Sequence, residues 1–187
     1  MLDKSLEERA RSTGEAGDPV GARDQFSALL PVQERVLGRE HPDTLNARSN
    51  LARWTGAAGD WAGARDQVSA LLPVYERVLG RDNPDILKAR TRLASLTRAV
   101  GDPAGARDQL TGLVPAHVRV LGPEHPDTLF ARRNLAVMTD AARDLATARD
   151  ELTTLAPTYV RVLGPEHPDT LGACRSPIGK ELSMRQR

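Results

Sequence analysis

A step of 42 residues governs this sequence. Leu-Gly ends at Gly38, Gly80, Gly122 and Gly164; Ala-Arg-Asp begins at Ala22, Ala64, Ala106 and Ala148; a proline recurs at Pro31, Pro73, Pro115 and Pro157. The stretch "LGPEHPDTL" stands at Leu121–Leu129 and again at Leu163–Leu171, with close copies at Leu37–Leu45 and Leu79–Leu87. The register holds without insertion from about residue 17 to about residue 173. Self-similarity at such a period means one structural unit used several times, each unit packing on its neighbours.

Within a copy the apolar spacing is helical. Trp61, Ala64, Val68, Leu71, Leu72, Tyr75, Val78 and Leu79 recur at three- and four-residue steps, which predicts a long amphipathic helix B closed by Gly80. Ahead of it, Leu45, Leu51, Ala52 and Trp54 predict a shorter helix A, with Asp43 or Thr44 as its N-cap after Pro42. "GAAGD" at Gly56–Asp60 is the turn between them. Pro73 falls inside helix B but off the apolar stripe, so helix B either kinks there or breaks and restarts with the proline as its first residue. An amphipathic pair cannot bury its apolar face alone, and stacked pairs can. The expected fold is therefore an all-α, right-handed α-solenoid of stacked antiparallel helix pairs. Its units run over about 1–42, 43–84, 85–126 and 127–168, with the start of a fifth helix A at 169–174 and a degenerate cap or tail at 175–187.

Together, "NLA" (Asn50–Ala52, Asn134–Ala136), "GDWAGA" (Gly59–Ala64) and the His-Pro-Asp linker at a 42-residue step resemble the tetratricopeptide repeat, in the kinesin-light-chain-like form seen in high-GC bacteria. The resemblance spans nearly the whole chain. It departs from the family at Arg92, which replaces the asparagine of "NLA", and at Arg48, Arg90 and Arg132, which stand where the family has a large residue. The first helix A is degenerate too: Arg9 and Ser12 align with Leu51 and Trp54, leaving Leu2, Leu6 and Ala10 as a narrow apolar line. Beyond Ala173 the pattern fails at Pro177. A short capping helix over 178–186, with Ile178 and Leu182 facing in, is expected there, against the rival reading of a truncated gene or a fragment of a longer array. A partial cap at that end leaves room for self-association.

Composition narrows the function classes. Lys and Arg total 26 against 25 Asp and Glu, which argues against a dedicated nucleic-acid binder. One cysteine, Cys174, excludes an internal disulfide framework and an all-Cys metal site. No apolar run is long enough to cross a membrane and the charged N-terminus is no signal peptide, so a cytoplasmic location is expected. His41, His125 and His167 invite a metal reading, but each copy supplies one, and equivalent residues in stacked helices lie roughly 8–10 Å apart. No nucleophile–base pair and no phosphate loop emerge, so the chain reads as no enzyme, with no catalytic, cofactor-binding or metal residues and no cofactor. Arg23, Arg65, Arg107 and Arg149 are each followed by aspartate and read as exposed charge pairs.

The linker is constant between copies, whereas one face of helix A varies. The resemblance implies that this face lines the groove of the solenoid and binds a peptide or protein segment, making the chain a non-catalytic protein-interaction scaffold. The groove residues are then Asn46, Ser49, Asn50 and Arg53 in the second copy; Lys88, Thr91, Arg92 and Ser95 in the third; and Phe130, Arg133, Asn134 and Val137 in the fourth. The alternative is a sensor or regulatory repeat segment of a bacterial signalling NTPase system, acting in trans or surviving as a remnant. Neither reading involves nucleic acid or membrane.

Overall fold

The computed structural model describes residues 4–141, 145–167 and 169–171, and among them every regular element is helical. The elements are α1 (Lys4–Glu15), α2 (Pro19–Val36), α3 (Pro42–Ala57), α4 (Trp61–Leu79), α5 (Pro84–Ala99), α6 (Pro103–Leu121), α7 (Pro126–Ala141) and α8 (Leu145–Leu163). They alternate between the shorter helix A and the longer helix B of each copy. The expected C-terminal capping helix and Cys174 lie outside the described residues.

The chain divides into two compact units, Met1–Val100 with α1 to α5 and Gly101–Arg187 with α6 to α8. In the first, each helix packs on the next, and α3 also touches α1. Its core has two parts. Ala10, Ala22, Phe26, Ala47 and Trp54 join α1, α2 and α3, with Leu30 and Leu51 packed against them. Leu45, Ala64, Val68, Leu71, Leu72, Tyr75, Ile86 and Leu96 join α3, α4 and α5. In the second unit, α7 packs on both α6 and α8, and Leu129, Leu155 and Tyr159 form a cluster bordered by Val162 and Leu163.

Every helix B with a described N-terminal cap starts the same way. Asp18, Asp60 and Asp102 accept the backbone N–H of Gly21, Gly63 and Gly105, each at 2.8 Å. The glycines are part of this cap, since a Cβ on any of them would lie 2.2 Å from Oδ2 of the capping aspartate. Helix A is capped differently from the expectation. Pro42 is already helical, and the N-cap is His41, whose Nδ1 accepts the Asp43 N–H at 3.2 Å. Asp43 instead lies in the first turn, and Thr44 is fully buried. Proline at the first helical position has no N–H to be satisfied, which sets the cap at the residue just before Pro42.

Two further expectations change. Helix B runs unbroken through Pro31, Pro73, Pro115 and Pro157, which removes the break-and-restart alternative. All four prolines are exposed, and so is Ser69, whose carbonyl loses its helical partner at Pro73. In α1, Ala10 is buried as expected but Leu6 is 46% exposed, and Leu2 lies outside the described residues. Trp54 explains part of this: its ring lies against Gly14, where a Cβ would come within 2.4 Å of it. The contact holds α1 to α3 through its last turn and leaves the Leu6 side open.

Candidate functional site

The helix A face falls into two sets, one in each unit. In the first, α3 carries Asn46, Ser49, Asn50 and Arg53 at helical spacing, and α5 carries Lys88, Thr91, Arg92 and Ser95. Asn46, Arg53 and Lys88 are exposed; Ser49, Asn50, Arg92 and Ser95 are half-buried. Thr91 is buried, and its hydroxyl donates to the Leu87 carbonyl at 3.0 Å, so it faces the core and not a ligand. The Ser95 hydroxyl donates to the Thr91 carbonyl at 3.1 Å.

Arg92 ties the two helices together. Its Nη1 donates to the Ser49 carbonyl at 3.3 Å. Burial lowers the pKa of this guanidinium, and the positive charge of Arg53 lowers it further. A desolvated cation beside a second cation makes this face electropositive. Arg53 is steadied by its own neighbour, lying over the Trp54 ring at 4.6 Å from the centroid. Beneath them Tyr75 rises from α4 and donates its hydroxyl to the Leu45 carbonyl at 2.9 Å, and burial pushes the pKa of its phenol up. Tyr75 also helps line a small pocket of about 70 Å³ with Pro42, Leu45, Asn46, Leu79 and Asp85.

In the second unit α7 presents Phe130, 38% exposed, with Arg133, Asn134 and Val137 half-buried. Arg133 stands where the copies in the first unit have Ser49 and Thr91. Its charge is felt by Tyr159 of α8, whose phenol pKa is nevertheless pushed well up by burial.

The histidines have a structural place. His41, His125 and His167 each cap a helix A through Nδ1, at 3.2 Å from the N–H of Asp43, Asp127 and Asp169. In the third copy Asn83 does the same through Oδ1, at 2.8 Å from the Asp85 N–H. His and Asn interchange here because each offers an acceptor two residues ahead of the aspartate. Among the described residues no three His, Cys, Asp or Glu side chains gather as a metal site would require. Arg23, Arg65 and Arg107 pair with the aspartate that follows each, at 2.7 to 2.9 Å, on exposed surface. No helix among the described residues is long and apolar enough to cross a membrane.

One repeat position of helix B is polar and buried throughout: Gln33 and Tyr75 hold it in the first unit, His117 and Tyr159 in the second. Its signal is in the sequence, since four residues able to hydrogen-bond share a place on the apolar stripe.

Comparison with known proteins agrees with this geometry. The tetratricopeptide repeat family matches residues 44–85 and 86–127. No curated protein sequence matches the chain. Among solved structures, a candidate kinesin light chain of Podosopora anserina with nearly identical TPR-like repeats superposes with a TM-score of 0.75 at 24% identity, covering 100% of this chain and 91% of that one. A point variant of the same protein gives 0.76 at 24% identity, covering 98% and 87%. BtubC (BKLC) from P. vanneervenii gives 0.73 at 16% identity, covering 87% and 65%. At these identities the likeness is one of fold.

Proposed function

We propose that this chain, which carries tetratricopeptide repeats of the kinesin light chain type and so belongs among repeats that generally mediate protein–protein binding, is a non-catalytic scaffold that holds a peptide or protein segment on its helix A faces. The observation that carries this reading is a contrast within each copy. The caps and the linkers keep the same residues or the same hydrogen bonds from copy to copy, while the helix A face varies, with only the asparagine of Asn50 and Asn134 repeated. Residues that hold the repeat together are shared, and residues that choose a partner differ.

The chemistry of the first unit's face favours a segment bearing carboxylates. Arg53, Lys88 and Arg92 lie among the eight candidate positions there, and none of the eight is acidic. A carboxylate near Arg92 would offset the burial and like-charge repulsion that this guanidinium bears. In the second unit the exposed ring of Phe130 suits an apolar anchor. The test is selection from a displayed random-peptide library, followed by titration of the enriched peptides against variants. Acidic peptides should be enriched, and Arg92→Glu should weaken them by tenfold or more, about 1.4 kcal/mol. Enrichment of basic peptides, or full binding by the Phe130→Ala, Asn134→Ala and Arg92→Glu variants alike, would remove the helix A face as the site.

A further inference from the structure

We propose that copies of this chain associate head to tail, with α1 of one copy packing on α8 of another in the register of the internal repeat and α2 reaching the linker that follows α8. Three features of the surface lead there, and none belongs to the helix A face just described.

The first is a pair of exchanged contacts. At one position of helix A stand Leu6, Arg48, Arg90 and Arg132, and at one position of helix B stand Glu34, Glu76, Val118 and Val160. Inside the first unit these positions meet across successive copies, where Arg90 donates to Glu76 at 2.5 Å. On α1 the arginine has become Leu6, 46% exposed, and on α8 the glutamate has become Val160, 43% exposed. Stacking in register sets these two exposed apolar side chains against each other, in the place of a charge pair.

The second is an ion pair with its halves on different surfaces. A glutamate of the linker reaches an arginine 37 positions on in the next helix B: Glu40 to Arg77 in the first unit, and Glu124 to Arg161, at 2.5 and 2.7 Å, in the second. The same register places Glu166 of one copy opposite Arg35 of another. Among the described residues neither Glu166 nor Arg35 has an ion-pair partner.

The third is the receiving surface. An open crevice of about 430 Å³, lined by Leu6, Arg9, Gln25, Ala28, Leu29 and Val32, runs between α1 and α2. The repeat says what such a crevice takes. Leu51 and Leu93, the equivalents of Arg9, pack against the preceding helix B through Phe26 and Leu30, and through Leu71 and Leu72. Arg9 is the discordant position, a charge where the interior copies have leucine, and it keeps the contact weak and reversible. Because the two surfaces differ, the contact is heterologous: each copy gives one surface and receives on the other, so association proceeds beyond a dimer.

Sedimentation equilibrium of the full chain from micromolar to low-millimolar concentration tests this. The mean mass should rise steadily with concentration. Leu6→Glu and Arg35→Glu should each weaken association by at least about tenfold. Arg35→Glu combined with Glu166→Arg should restore it, and Arg9→Leu should tighten it beyond the parent chain. Circular dichroism confirms that each variant is folded, and Arg65→Glu, on the exposed surface of α4, should associate as the parent does. A monomer at every concentration, or a charge exchange that restores nothing, would overturn the proposal while leaving the peptide-binding reading intact.

Discussion

At the scale of single residues, the repeat is held by small fitted contacts. Gly14 is one: the Trp54 ring occupies the space a Cβ would need, at 2.4 Å. Gly14→Ala should therefore destabilise the first unit by about 1–3 kcal/mol through overpacking. One copy on, a Cβ at the equivalent Gly56 would meet Leu96 at 3.5 Å, an ordinary contact. Adding Trp54→Leu to Gly14→Ala should thus recover part of the loss, and a urea titration of the two variants checks both halves of the claim. His41 is another fitted contact. His41→Ala should cost about 1 kcal/mol, the usual worth of an N-cap, whereas His41→Asn should be nearly neutral, because Asn83 already fills the role in the third copy. A chemical denaturation midpoint that falls equally for Ala and Asn would show that the imidazole does something other than cap.

At the scale of helices, most of the architecture was legible and the reasons are physical. Apolar spacing marks a helix wherever one face is buried, so Trp61 to Leu79 could be read end to end from its sequence. The cap of helix A was misplaced, because Asp43 and Thr44 look like caps and a histidine does not. Only the prolines, each at the first helical position, give the true boundary. The buried face of α1 was half legible: Ala10 points in, but the exposure of Leu6 depends on how Trp54 seats against Gly14, which no local pattern records. Pro73 allowed two readings, and the unbroken helix selects one. That choice carries a prediction. Pro73→Ala restores a partner to the Ser69 carbonyl, worth about 3 kcal/mol in a helix interior, less about 0.4–1 for the freer unfolded chain. The net gain in stability should be roughly 2 kcal/mol, read as a rise in the denaturation midpoint with helix content unchanged. A loss of stability would mean that the bond geometry around Pro73 is required for packing.

At the scale of the whole molecule, the repeat separates what holds the fold from what selects a partner. The eight candidate positions of the first unit and the four of the second come from alignment of the copies alone. Their environments could not. That Thr91 turns inward and that Arg92 bonds the Ser49 carbonyl follow from how α3 and α5 pack, and packing between elements is invisible to a pattern within one. The central claim is that partner choice resides on helix A and not on the charge pairs of helix B. The most direct measurement is binding of one library-selected peptide, by titration calorimetry, to two charge-matched variants. One is Arg53→Glu with Arg92→Glu on helix A; the other is Arg65→Glu with Arg107→Glu on helix B. The account predicts that the first pair of substitutions abolishes binding and the second leaves it within about twofold, below 0.5 kcal/mol. Binding that survives the helix A substitutions and fails with those on helix B would contradict it.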